Sequence, residues 1–204
     1  MPPAAIRTDV VVPLRFPDGY ETTADVFSFT GLTDGLEHLA LGLGDWRTAV
    51  PPLVRPHSEC LTGDVFGSQR CDCGPQLREA AERITGAGGF LLYLRQEGRG
   101  IGLYAKLDAY ALQDAGLDTY AANRALGHDD DERDYTAAAQ MLSTLRATQV
   151  RLLTNNPDKT TQLTRLGIEV AQQLPTGVHL SPANARYLRA KRDSTAHTLS
   201  LIHI

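Results

Sequence analysis

The sequence predicts an α/β protein: a mixed β-sheet flanked by helices, forming a single domain whose first third is rich in β-structure. Three observations carry this. The early stretches TDVVVPLRF, TTADVFSFTG and EHLALGLG hold strand-type apolar residues broken by Gly, Pro and Asp. Beyond them, helix-period segments alternate with short apolar runs. Finally, no repeat, low-complexity tract or linker interrupts the chain, and 204 residues suit one large domain or two small ones.

The elements follow in order. CGPQLREAAERITGAGG reads as a helix ended by glycines, with a buried strand after it in FLLYLRQ. GLYAKLDAYALQDAG reads as a helix with apolar Leu103, Leu107, Tyr110 and Ala111 near helical spacing. DERDYTAAAQMLSTLRA is expected to be helical, with Asp130 or Asp131 as its cap and acidic groups at its positive end. Arg133 is out of place in that first turn, where a cation is disfavoured, and so points to a ligand. VRLLT reads as a strand, and NPDKTTQLTRLG as a helix closed by Gly167. The domain is expected to span residues 1–192, leaving 193–204 as a loosely ordered tail.

Composition narrows the function. The apolar share of 42% supports a buried core, and the net charge of −4 provides no basic field for nucleic acid. Any polyanion must meet locally clustered arginines. MPPAAIRTDV lacks the apolar core of a signal peptide. No apolar run approaches the ~18–20 residues that cross a bilayer. The expectation is a cytoplasmic protein with no membrane or nucleic-acid partner.

All three cysteines, Cys60, Cys71 and Cys73, fall within the stretch HSECLTGDVFGSQRCDCG. Their odd number and a reducing compartment argue against a disulfide. Two readings remain: buried small hydrophobes, or ligands of one metal ion. Zinc suits thiolates, and three protein ligands leave a fourth position for a catalytic water. His57 as a fourth ligand would make the site structural instead.

Two further segments carry chemistry. RQEGRGIGL follows a strand and opens a helix; its glycines let the backbone approach a ligand, and Arg99 adds an anion clamp. LLTNNPDK ends a strand with Thr154, Asn155, Asn156 and Lys159, where ligands gather in α/β sheets. Lys159 suits a phosphate there, or else is a solvated surface lysine.

Taken in order, RPHSECLTGDVFGSQRCDCGPQL, RQEGRGIGL, AYALQD, DERDY and LLTNNPDK closely resemble GTP cyclohydrolase II, the first committed enzyme of riboflavin synthesis, in its stand-alone form. The resemblance runs from about Val54 to Gly167. It implies hydrolysis of GTP, with loss of pyrophosphate, opening of the imidazole ring at C8 and release of formate. The product implied is 2,5-diamino-6-(5-phosphoribosylamino)pyrimidin-4-one. It implies one zinc ion per chain on Cys60, Cys71 and Cys73, magnesium with the triphosphate, and a homodimer. It also implies that Arg55, His57, Ser58, Glu59, Gln76, Glu97, Gly98, Arg99, Thr119, Thr154 and Lys159 line the GTP site, and that Tyr110 is catalytic. The family roles are proton acceptor for Asp131 and nucleophile toward the α-phosphate for Arg133. A guanidinium is almost never deprotonated, so a phosphate clamp is the physically simpler role for Arg133. Two alternatives keep the same residues: an enzyme that stops at a formamidopyrimidine nucleotide, and a silent nucleotide-binding protein.

Overall fold

The computed structural model describes residues 3–129, 131–181 and 183–184. The expected tail, residues 193–204, and Asp130 lie outside the described residues. The chain divides into two compact units. One draws on Met1–His57, Leu77–Arg95 and Tyr135–Thr176; the other on Ser58–Gln76, Gln96–Asp134 and Gly177–Ile204.

The first unit holds a seven-stranded mixed sheet. Its strands are β1 (Ala5–Arg15), β2 (Glu21–Thr30), β3 (Leu39–Leu43), β4 (Leu53–Ser58), β5 (Gly89–Leu94), β6 (Gln149–Leu153) and β7 (Glu169–Leu174), in the spatial order β1-β2-β3-β5-β4-β6-β7. A tight turn at Asp18 and Gly19 joins β1 to β2, and antiparallel pairing continues through β3 to β5. At the other edge, β4, β6 and β7 run parallel.

Strand alternation sorts the core into two faces. Phe27, Ala40, Val54, Phe90, Leu92, Leu94, Val150 and Leu152 pack with residues of α5 (Thr136–Thr144) and α6 (Pro157–Arg165). Ala24, Leu43, Leu53, Leu91 and Leu153 pack instead against Ala80, Ala81 and Ile84 of α2 (Cys73–Ala87). Each fully buried leucine contributes about 1.5–3 kcal/mol. The sheet is therefore covered on both faces, as the sequence predicts for its α/β class.

The second unit contains the short α1 (Leu61–Asp64), a tight turn over Glu97–Gly100, α3 (Leu103–Asp114) and α4 (Thr119–Ala125). Here one expectation is corrected. The helix predicted from Asp131 starts at Thr136, with Tyr135 as its N-cap residue. The Asp131 carboxylate is taken by Arg133, and the Glu132 N–H donates to the Arg99 carbonyl at 3.0 Å. Both contacts draw the segment away from helical pairing. No helix among the described residues is long and apolar enough to cross a membrane.

Candidate active site

In the second unit the three cysteines converge. Cys60 precedes α1, Cys73 opens α2, and Cys71 lies in the turn before it. Their sulfurs all lie within 4.8 Å of one another, and Cys60 and Cys71 approach to 3.6 Å without forming a disulfide. Gly63 makes this possible. A Cβ there would stand 2.8 Å from the Cys71 sulfur and 3.1 Å from that of Cys60. Three sulfurs gathered this closely, packed so tightly over Gly63 that not even a methyl fits there, suit zinc held by three thiolates. His57 is not part of this metal-competent group; its ring stacks on Tyr93 at 5.7 Å.

Charge is shared unevenly across the cluster. Hydrogen bonds from the Cys71 and Cys73 thiols, helped by Lys106, hold the Cys60 thiol far below its usual range. In return Cys60 pushes Cys71 up to about 11 and Cys73 well above an ordinary thiol. One thiolate is thus formed in advance, as metal binding requires.

The Gly–Arg loop is left-handed throughout its centre. Gly98, Arg99 and Gly100 have φ of 62°, 66° and 98°. That conformation is uncommon for arginine and costs about 1–3 kcal/mol, a strain typical of functional loops. Glu97 is buried and fully engaged: one oxygen accepts from the Leu61 N–H at 2.6 Å, the other from Gly98 N–H and the Lys106 ammonium. Arg133 and Asp131 form a two-pronged ion pair, with the Arg133 Nε 2.7 Å from Asp131. Burial pushes the Asp131 carboxyl up, but Arg133, and Arg99 at longer range, outweigh it and leave it below the usual carboxylate range.

Helix α3 corrects a second expectation. Leu107 is 43% exposed, while the buried positions are Lys106 and Ala109. The inner face is polar because it meets thiols, Thr62 and Glu97. Tyr110, one turn beyond Lys106, lies on this face and hydrogen-bonds Thr62. Burial, partly offset by Lys106 and Thr62, raises its phenol above the ordinary value of 10, so it keeps its proton at neutral pH. Lys106, Thr62, Gly63 and Arg70 escaped the sequence reading. The one available signal was a lysine four residues before the tyrosine on a common helix face.

The remaining expected residues are distributed as follows. Gln76 is buried in the second unit and donates to Asp72 at 2.6 Å. Ser58 and Glu59 lead into Cys60, each half-buried. Thr119 opens α4, and its side chain lies outside the described residues. In the first unit, Arg55 and His57 are buried on β4, with Arg55 donating to the Leu153 carbonyl at 3.1 Å. Thr154 follows β6, at the carboxyl end of the parallel strands. Lys159, 4% exposed, donates to the Pro56 carbonyl at 2.7 Å and faces the Tyr135 ring. It is no solvated surface lysine. Asn155 and Asn156 have structural duties: the first binds Thr176, and the second caps α6 through the Asp158 N–H.

A mixed α/β fold carrying a three-thiol metal-competent centre, a strained Gly–Arg loop and a tethered arginine defines a metalloenzyme-type protein. The chain belongs to the GTP cyclohydrolase II family, whose model matches residues 10–175. It is 52% identical over 179 residues to the GTP cyclohydrolase-2 of Vibrio parahaemolyticus, covering 87% of this chain and 90% of that protein. The same identity and coverage hold for the GTP cyclohydrolase-2 of Vibrio cholerae. It is 48% identical to the riboflavin biosynthesis protein RibBA of Cytophaga hutchinsonii, matching 86% of this chain but 44% of that longer protein.

Proposed function

We propose that this protein hydrolyses GTP to 2,5-diamino-6-(5-phosphoribosylamino)pyrimidin-4-one, formate and pyrophosphate, the first step of riboflavin biosynthesis. The observation that carries the reading is the three-thiol cluster packed over Gly63, set beside Lys106 and Tyr110. Cys60, Cys71 and Cys73 would hold zinc, which supplies Lewis acidity and an acidified water for hydrolysis at C8.

The chain's own groups account for the rest. Three bonds must be hydrolysed: the α–β phosphoanhydride, the ring C8–N9 bond and the resulting formamide. Arg133, oriented by Asp131, serves as a clamp for charge developing at the α-phosphate. Its carboxylate partner supports this role, since a paired guanidinium stays protonated. Tyr110 serves as proton donor and acceptor in the formamide step. Arg55, His57, Ser58, Glu59, Gln76, Glu97, Gly98, Arg99, Thr119, Thr154 and Lys159 are proposed to bind GTP. Magnesium would accompany the triphosphate and neutralise part of its charge.

Reduced thiols suit a cytoplasmic location. A homodimer is proposed as well, supported by the exposed Val10 and Val11 on the edge strand β1. Sedimentation analysis tests it; a monomer throughout the micromolar range overturns it. The central test incubates pure protein with GTP and Mg²⁺ and measures formate, pyrophosphate and the pyrimidine. Pyrophosphate without formate would overturn the ring-opening assignment.

A further inference from the structure

One buried cation at the sulfur cluster has no part in the chemistry above. Lys106 is 8% exposed, and its ammonium makes three hydrogen bonds, to the Cys60 sulfur at 3.1 Å, the Thr62 hydroxyl at 3.0 Å and a Glu97 oxygen at 2.8 Å, and lies 5.7 Å from the centre of the Tyr110 ring. We infer that Lys106 is a positioning residue of the metal centre, tying the Cys60 sulfur, Thr62 and the Glu97 turn into one bracket. The inference rests on the reading of the three cysteines as metal ligands.

Four observations support it. Burying an ammonium costs several kcal/mol unless its hydrogen bonds are met, so this lysine is not filler. An ammonium has three N–H donors, and three acceptors stand within hydrogen-bond distance of it. A lysine present only to neutralise Glu97 would need one of them. The other Glu97 oxygen accepts from the Leu61 N–H, next to Cys60, so the bracket grips both the sulfur and the backbone of the Cys60 turn. Charge points the same way: three thiolates and the Glu97 carboxylate exceed a divalent ion by two negative charges, and the ammonium offsets one of them. Groups that orient metal ligands in this way are typically worth about 10–100-fold in metal affinity.

The test uses the full-length protein and three variants: Lys106→Met, Lys106→Arg and the double variant Glu97→Gln/Lys106→Met. Zinc affinity is measured against a chromophoric chelator, sulfur-to-metal charge transfer in the cobalt-substituted protein, and thermal unfolding in the metal-free form. Lys106→Met should bind zinc about 10–100-fold more weakly and shift the charge-transfer bands. Lys106→Arg should recover part of the loss, because a planar fork keeps the charge but not the three-way geometry. The double variant leaves no unpaired buried carboxylate, so it should regain thermal stability while zinc stays weakly bound. Wild-type affinity and spectrum in Lys106→Met would overturn the inference, as would full recovery of affinity in the double variant. If Lys106→Met does not fold, wild-type affinity and spectrum in Lys106→Arg overturn it equally. Wild-type protein that binds no zinc would overturn the underlying ligand reading instead.

Discussion

The Arg70 guanidinium lies 4.4 Å above the Tyr110 ring and is held there by Asp114 through hydrogen bonds of 2.6 and 3.2 Å. Arg70 also immediately precedes Cys71, so the residue that fixes the phenol is tied in sequence to the sulfur cluster. Tyr110→Phe should slow formate release by roughly 10²–10⁴-fold, the usual worth of lost acid–base help, and pyrophosphate release much less. Arg70→Gln should slow formate release only about 2–5-fold, because a half-exposed cation–π contact is worth ~0.5–1 kcal/mol. Single-turnover assays of both products make the comparison. Equal loss of both products in Tyr110→Phe, with a lowered melting temperature, would mark Tyr110 as a packing residue.

Gly63→Ala tests the packing of the sulfur cluster. The new methyl would stand 2.8 Å from the Cys71 sulfur, well inside van der Waals contact, so the sulfurs must part. Zinc content should fall far below one per chain, as it should in Cys71→Ser, and formate release should fall with it. Circular dichroism checks that the fold survives. Metal analysis showing full zinc in either variant, with normal formate release, would refute the site.

On the proposed function, Arg133 acts at the other end of the substrate. Arg133→Ala should reduce pyrophosphate release by at least the ~10²–10³-fold typical of a lost charge-stabilising donor. Mass spectrometry of a quenched wild-type reaction then separates clamp from nucleophile. We expect no nucleotide adduct on Arg133; finding one under single-turnover conditions would establish the covalent route. Near wild-type turnover in Arg133→Ala would exclude both roles.

Asp131 predicts a pH dependence. Its folded pKa is depressed, so its pairing with Arg133 stabilises the fold fully above the ordinary carboxylate range, near ~4. That stabilisation is lost as the pH falls through the depressed folded value. Asp131→Asn should therefore cost about 1–3 kcal/mol at pH 7, the worth of a hydrogen bond to a charged group. The difference from wild type should shrink toward zero in acid. Urea unfolding at pH 7, 4 and 3 gives the comparison, and a gap that stays constant to pH 3 would contradict the pairing.

Much of this protein was legible in its sequence because the signals are local. Strand-type apolar residues in β1, β2 and β3 and short apolar runs in β5 and β6 marked strands, and the glycines after α2 and α6 marked helix ends. The cysteine spacing marked a metal-competent cluster, since three thiols so close along a chain have few other uses. Gly98, Gly100 and Gly102 marked a loop whose backbone a ligand could approach closely, and all three have positive φ.

What the tertiary structure alone decided depends on partners distant in sequence. β4 contains Pro56, which lacks an N–H and speaks against a strand, yet five of its six residues are buried and β6 pairs with it. α5 begins at Thr136 because Arg99 and Arg133 claim the acidic segment before it. The inner face of α3 is set by what it packs against: its apolar Leu107 faces out, while Lys106 turns inward to a sulfur 46 positions earlier in the chain. Residue types and spacing specify which chemistry a chain can perform. Which side chains are brought to bear on it is decided by burial, because a charge enters the interior only where folding has assembled its partners.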